Sequence, residues 1–259
     1  MREEGCEVRT SHGHLQVIAT SSQEMAQLAA ERASELIRAA VERHGAAHVA
    51  FAAAPSQTAF LAQLRQQPAV PWAQVTAFQL DEYVGLPEGA AQRFSAYLDD
   101  ALWHHVPLRE AYTLDPGGLA PEEACRRYAL LLRAHPLHLA CLGIGENGHL
   151  AFNDPHVADF EDPLSVKVVE LDEACRQQQV NDGCFPSLSQ VPRRAVTLTM
   201  PTLFAAEAVV CVVPGARKQQ AVQAALYGVM SPACPASLLR RHPNATLFLD
   251  EGSARGQAH

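Results

Sequence analysis

Short apolar runs alternate with helix-length amphipathic segments along almost the whole of this chain, and that alternation restricts its fold more than any other feature. Ser21-Ser22-Gln23-Glu24 has the form of a capping box, and the stretch that follows to about His44 sets Met25, Leu28, Ala29, Leu36, Ile37 and Val41 close to one helical face. Residues 48–54 are a continuous apolar run that stops at Pro55-Ser56, where Ser56 can cap a second helix carrying Phe60, Leu61 and Leu64. Residues 75–80 are rich in strand formers and halt at Asp81-Glu82-Tyr83; a loop with Gly85, Pro87 and Gly89 then leads to a helix from about Gln92 to Trp103. A helix opened by Pro121-Glu122-Glu123 precedes strands at 137–144 and 166–171. Further strands follow at 195–199, 208–213 and 245–249, with a helix around 218–226 between the last two. Apolar strands separated by helices of this length need cover on both faces. The expected fold class is therefore α/β, a single doubly wound and mainly parallel sheet with helices on both sides. No repeat, low-complexity stretch or linker interrupts residues 1–259, which read as one domain with 251–259 as a flexible polar tail.

Charge and composition then remove whole classes of function. The formal net charge is −8, and two lysines scattered among eighteen arginines build no basic run, so no nucleic-acid partner is expected. No stretch approaches the ~18 uninterrupted apolar residues of a membrane span. Met1-Arg-Glu-Glu opens no signal-peptide pattern, which reads as a soluble, cytoplasmic protein with no membrane partner. Seven cysteines (Cys6, Cys125, Cys141, Cys175, Cys184, Cys211 and Cys234) are an odd number without a CxxC pair, and most sit in apolar surroundings as small hydrophobes. His12/His14, His104/His105 and His135/His138 are close pairs, but none has zinc-site spacing, so no metal is expected.

Ligands of open α/β sheets bind beyond the carboxyl ends of the strands. Three polar stretches fall at such ends. The first is Pro55-Ser56-Gln57-Thr58. In the second, Asp81 and Glu82 follow an apolar strand directly, which places at least one carboxylate as a base at the sheet rim; the pair reads equally well as the cap of the next turn. The third runs from Gly143 to Pro155, where Gly143, Gly145 and Gly148 let the backbone turn tightly and approach a ligand, as they would in a purely structural turn. His149 follows as a group that titrates near neutral pH, and Asp154 is placed to orient it. Pro214-Gly215-Ala216-Arg217-Lys218 opens a helix just after a strand, which suits either an anion site or a solvated first turn.

Residues 78–87 (FQLDEYVGLP) and 142–155 (LGIGENGHLAFNDP) resemble the two signature segments of the glucosamine-6-phosphate deaminase/isomerase family, and weaker similarity runs through 191–197 and 214–218. The sister 6-phosphogluconolactonases share the fold and a Gly-rich turn ending in His, but there Thr-Ala-Ser-Leu-Phe-Pro follows; this chain has Leu-Ala-Phe-Asn-Asp-Pro. The resemblance implies a modified Rossmann-like sheet and a catalytic set of Asp81, Asn147, His149 and Asp154. His149, assisted by Asp154, would open the sugar ring, and Asp81 would carry a proton from C2 to C1. An imine or carbinolamine would then release ammonia, with no metal or organic cofactor. Substrate contacts would come from Ser56, Gln57, Thr58, Glu82, Gly145, Gly148, Arg176 and Lys218. The partner is then a small amino sugar phosphate, and homo-oligomerisation is compatible with the family.

The chain departs from the family pattern at four places. Asn147 stands where many members carry Asp, and Asp154 where Glu is usual. The first loop is Pro-Ser-Gln-Thr in place of the Gly-rich Thr-Gly-Gly-Thr, and the arginine expected near residues 181–183 is missing, with Arg176 the nearest. The resemblance makes glucosamine 6-phosphate the leading substrate, and these departures open other readings. Galactosamine phosphate, an unphosphorylated amino sugar, lactone hydrolysis and a non-catalytic sugar-phosphate sensor are the alternatives.

Overall fold

The computed structural model describes residues 8–114 and 118–255; the leading Met1-Arg-Glu-Glu stretch, Cys6 and the end of the tail lie outside them. The described chain runs through β1 (Val8–His12), β2 (Leu15–Thr20), α1 (Ser22–His44), β3 (Ala47–Phe51), α2 (Thr58–Leu64), β4 (Val75–Gln79), β5 (Asp81–Tyr83), α3 (Phe94–Ala101), β6 (Glu110–Tyr112) and α4 (Pro121–Ala134). It continues with β7 (Leu139–Leu142), β8 (Val166–Glu170), α5 (Glu173–Asn181), β9 (Arg194–Leu198), α6 (Met200–Phe204), β10 (Ala208–Val213), α7 (Gln219–Tyr227) and β11 (Ala245–Asp250). Eight of these strands form the main sheet in the order β1-β2-β11-β10-β7-β3-β4-β6. All neighbours in it are parallel except β1, which folds back on β2 as an antiparallel edge.

Because successive residues of a strand face opposite sides of the sheet, each buried strand feeds two cores. In β10, Ala208, Val210 and Val212 join one, with Ala29, Ala33 and Ile37 of α1 and Phe60 and Leu61 of α2. Val209, Cys211 and Val213 join the other, with Tyr128 and Leu132 of α4 and Val222 and Ala225 of α7. This two-sided burial explains why the strands read as unbroken apolar runs. Helix α1 starts as its sequence dictates: Ser21 Oγ accepts the Glu24 N–H at 3.3 Å, and Gly45 closes it at φ 76°. The return half of the box goes elsewhere, since Glu24 is bonded to the Thr20 hydroxyl.

Three local expectations need adjustment. Ser56 does not cap α2; residues 55–57 form a 3₁₀ turn, and the Ser56 hydroxyl accepts from Gln57 instead. Asp81-Glu82-Tyr83 does not merely end a strand but forms β5, which belongs to a second, antiparallel sheet ordered β5-β9-β8. The tail is held at its start, where buried Ser253 exchanges hydrogen bonds with Asp250. The six described cysteines are free thiols, and among the described residues no helix is long and apolar enough to cross a membrane.

The strand order fixes where a ligand can sit. From β3 the chain steps outward to β4 and β6, then returns to lay β7 on the other side of β3 and continues to β10 and β11. The loops leaving β3 and β7 therefore diverge in opposite directions and leave a crevice between the carboxyl ends, at Phe51 and Leu142.

Candidate active site

That crevice is lined by residues 52–54, Ser56 and Gln57 after β3, Asp81 after β4, Gly143, Ile144, Gly145, His149, Ala151 and Phe152 after β7, and Lys218 after β10. Phe94 of α3 and Gln178 and Gln179 of α5 complete its wall. Roomier hollows exist on the surface, one between α4 and β8, but its charged rim residues, among them Arg126 and Arg194, are already paired with Glu123, Glu122 and Glu170. The chemistry converges in the crevice.

His149 sits there in a closed network. Its Nδ1 lies 2.7 Å from Asn147 Oδ1 and 3.0 Å from Asp154 Oδ1, while Asn147 Nδ2 donates to that same Asp154 oxygen at 3.0 Å. Two acceptors at Nδ1 assign the proton to that nitrogen and leave the Nε2 lone pair for a ligand. Asn147 also accepts the backbone N–H of His149 at 3.1 Å. The amide thus does what a carboxylate at this position could not: it accepts from the imidazole and donates to Asp154, avoiding two adjacent negative charges. Burial by itself would raise the Asp154 carboxyl, but its hydrogen bond and electrostatic attraction to His149 and the Asn147 amide together hold it below the ordinary carboxylate value. The Cys175 thiol of α5 lies within 4.8 Å of both Asp154 and His149.

The glycines are explained by contact. A side chain at Gly145 would overlap the His149 imidazole, which lies flat against that backbone. Gly148 has φ +87°, and a Cβ there would come to 2.9 Å of Cys234 Sγ. Ala151 adopts φ +50° although it carries a Cβ, a conformation that stores strain at the crevice wall.

Asp81 opens β5 and is 6% exposed at the crevice. Burial, reinforced by the neighbouring Glu82 charge, pushes its carboxyl well above the usual value. A carboxylate whose pKa is raised in this way is a stronger base towards a carbon-bound proton. Lys218 is 6% exposed, and among the described residues its ammonium has no hydrogen bond or ion pair. Burial lowers its pKa, against the opposing charges of Asp182 and Glu146.

Not every expected contact arrives. Ser56, Gln57 and Gly145 line the crevice, while Gly148 shapes its loop from beneath. Gln57 is 1% exposed and donates to Val212 O at 3.1 Å and to Ser56 Oγ at 3.2 Å, with Oε1 unpartnered. Thr58 is exposed, outside the lining, and bonded to the Tyr97 hydroxyl at 2.9 Å. Arg176 turns away: its guanidinium donates to Leu188 O at 2.5 Å and Val191 O at 3.1 Å and so braces the segment after α5. Glu82 points inward, 0% exposed, where its two oxygens accept from Gln79 Nε2, the N–H groups of Tyr83, Phe94 and Ser95, and the Ser95 hydroxyl. It ties β5 to the start of α3 and does not face the crevice. The contributions of Gln178, Gln179 and Phe94 had no signal in the sequence beyond lying near a motif or in the segment after it, whereas Phe152 belongs to the 142–155 motif.

Potential metal ligands do cluster. His149, Asp154 and Cys175 place ligand atoms within 4.8 Å of one another, as do His44, His138 and Glu207. In the second group one nitrogen of each histidine is engaged, His44 Nε2 with Glu207 at 3.0 Å and His138 Nδ1 with the His48 N–H at 2.9 Å.

Residues 20–248 match the family described as glucosamine-6-phosphate isomerases/6-phosphogluconolactonase. A glucosamine-6-phosphate deaminase of Bacillus thuringiensis (strain Al Hakam) is 35% identical over 224 residues, 86% of this chain and 82% of the relative. The same enzyme of Bacillus anthracis (strain A0248) gives the same identity and coverage. Among solved structures, a monomeric glucosamine-6-phosphate deaminase described as a missing link of the NagB superfamily superposes with a TM-score of 0.84. It is 27% identical, over 93% of this chain and 99% of that one. The 6-phosphogluconolactonase of Thermotoga maritima shares the fold at a TM-score of 0.74 and 19% identity, over 91% of this chain and 99% of that one.

Proposed function

The chain belongs to the glucosamine-6-phosphate isomerase/6-phosphogluconolactonase family, and from that membership we propose that it is an amino-sugar-phosphate deaminase and isomerase, converting glucosamine 6-phosphate and water to fructose 6-phosphate and ammonia. The observation that carries this reading is the placing of a raised carboxyl, Asp81, and an oriented imidazole, His149, in one crevice with an unpaired ammonium, Lys218. Lys218 holds the phosphate. His149, with Nε2 free, takes the proton of the anomeric hydroxyl and returns one to the ring oxygen, which opens the pyranose; Asp154 and Asn147 keep the imidazole in the tautomer this requires. Asp81 removes the proton from C2 of the open aldehyde and delivers it to C1, while a proton passes from the C2 amine to O1, leaving a 2-imino sugar with a hydroxyl at C1. Water adds at C2, and the resulting carbinolamine expels ammonia and becomes the ketone. A charged sugar phosphate does not cross a bilayer unaided, which supports a cytoplasmic location for the reaction.

The test is ammonia release from glucosamine 6-phosphate, galactosamine 6-phosphate and glucosamine, with 6-phosphogluconolactone hydrolysis run in parallel. Turnover of glucosamine 6-phosphate with formation of fructose 6-phosphate supports the assignment. Activity confined to glucosamine would refute the phosphate contact, and lactone hydrolysis without ammonia release would refute the reaction.

A further inference from the structure

Lys218 poses a problem that its family role does not resolve. The loop glycines and the arginine that the family resemblance calls for are absent, so a phosphate would meet one cation near two carboxylates, Glu146 on the loop after β7 and Asp182 at the end of α5. Both carboxylates face Arg217, whose side chain is 54% exposed: its Nη2 donates to Asp182 Oδ1 at 2.6 Å, and its Nε makes a longer ion pair, without a hydrogen bond, to Glu146 Oε1 at 3.4 Å. Gln178 ties the same two residues from the other side: its Oε1 accepts the Glu146 N–H at 2.8 Å, and its Nε2 donates to Asp182 Oδ2 at 3.4 Å. The neighbours Arg217 and Lys218 thus divide the work, one outside pairing both acids and one inside left unpaired.

We propose that Arg217 sets the specificity of this site for a phosphorylated ligand, acting as a positioning residue that engages Glu146 and Asp182 and so keeps the Lys218 ammonium available. This rests on the reading of Lys218 as the phosphate contact. The charge count gives the reason. Glu146, Asp182 and Lys218 together carry −1; with Arg217 the group is neutral, and an approaching phosphate dianion is no longer repelled. Without Arg217 the lysine would turn to one of the acids, as a half-desolvated cation beside a carboxylate does.

The experiment compares wild type with Arg217→Ala, Arg217→Lys and the triple variant Arg217→Ala/Glu146→Gln/Asp182→Asn. Two readouts are taken: KM and kcat for glucosamine 6-phosphate, and calorimetric binding of inorganic phosphate. Because Arg217 lies on the surface, thermal melting of Arg217→Ala is expected to stay close to wild type. Arg217→Ala should raise KM and the phosphate Kd about tenfold, one charge interaction of this kind, with kcat held within about threefold. Arg217→Lys, unable to fork between two acids, should fall between, and the triple variant should regain most of the lost affinity. Unchanged phosphate binding in Arg217→Ala overturns the proposal. A loss that the two neutralising substitutions fail to rescue also overturns it, since Arg217 would then touch the anion itself. Phosphate binding is read without turnover, so a wild type that binds phosphate but releases no ammonia refutes the proposed reaction while leaving the Arg217 test intact.

Discussion

Glu82→Gln removes one charge and almost no volume, yet it should be among the most damaging single substitutions in the molecule. The carboxylate is 0% exposed and accepts five hydrogen bonds: Tyr83 N at 2.9 Å and Phe94 N at 3.1 Å on one oxygen, Gln79 Nε2, Ser95 N and Ser95 Oγ each at 3.0 Å on the other. Every group facing it is a donor in this arrangement. Whichever way the new amide turns, its NH₂ meets at least two N–H groups that lose their acceptor. At about 1.5–3 kcal/mol for each hydrogen bond to a charged group, the loss is about 3–6 kcal/mol, against a total stability of roughly 5–15 kcal/mol. At about 2 °C per kcal/mol for a chain of this size, the melting temperature should fall by about 6–12 °C. The assay is thermal unfolding followed by circular dichroism, paired with KM for glucosamine 6-phosphate well below the melting point. If Glu82 were the substrate contact that the motif suggests, KM would rise with the melting temperature unchanged. That result, or a fall of less than about 2 °C, would refute the anchoring argument.

Three further outcomes follow from the same geometry. Asp81→Asn should lower kcat by about 10²–10⁴-fold, the usual contribution of a general base, while calorimetry still detects phosphate binding. Because the Asp81 carboxyl is raised in the folded state, ionising it opposes folding: its stabilising contribution is present at acid pH and is lost as pH rises from the unfolded carboxylate value through the raised one. Melting of Asp81→Asn should therefore exceed wild type by more at pH 7.5 than at pH 4. Lys218→Met removes a buried, unpaired cation, so its melting temperature should rise by a few degrees, about 1–2 kcal/mol, while phosphate binding is lost to calorimetry. The His138 imidazole is lowered to about 4 by burial and then by the His48 charge. The unfolded chain takes up that proton near pH 6.5 and the folded one does not, so stability should fall as pH drops from 6.5 towards 4. His138→Asn should flatten that slope in melts recorded between pH 7 and 5.

Most of the strand and helix alternation from α1 onward, and the burial of both sheet faces, were set by local pattern, but the edge strands β1, β2 and β6 and helix α5 were not read from it. Continuous apolar runs such as 208–213 can only be strands covered on two sides, and a Gly-rich turn next to His149 at a strand end is legible because its backbone demands are local. Asp81, His149 and Lys218 were legible as candidates because each follows closely on a strand's carboxyl end, whereas Asn147 entered only through the family resemblance and Asp154 lies well beyond β7. Which way a side chain turns was decided by tertiary structure. Asp81 and Glu82 are adjacent and chemically alike, but pairing of β5 with β9 sends one to the crevice and the other to the start of α3, because neighbouring residues of a strand face opposite sides. Arg176, proposed as a phosphate contact on proximity in sequence, is consumed by carbonyls of residues 188 and 191, which only the fold of the segment after α5 brings within reach. The pairing of Arg217 with acids 35 and 71 residues away has the same origin. Charge attraction has no sequence address, so the partner of a long cation depends on which carboxylates the sheet order and α5 deliver to it.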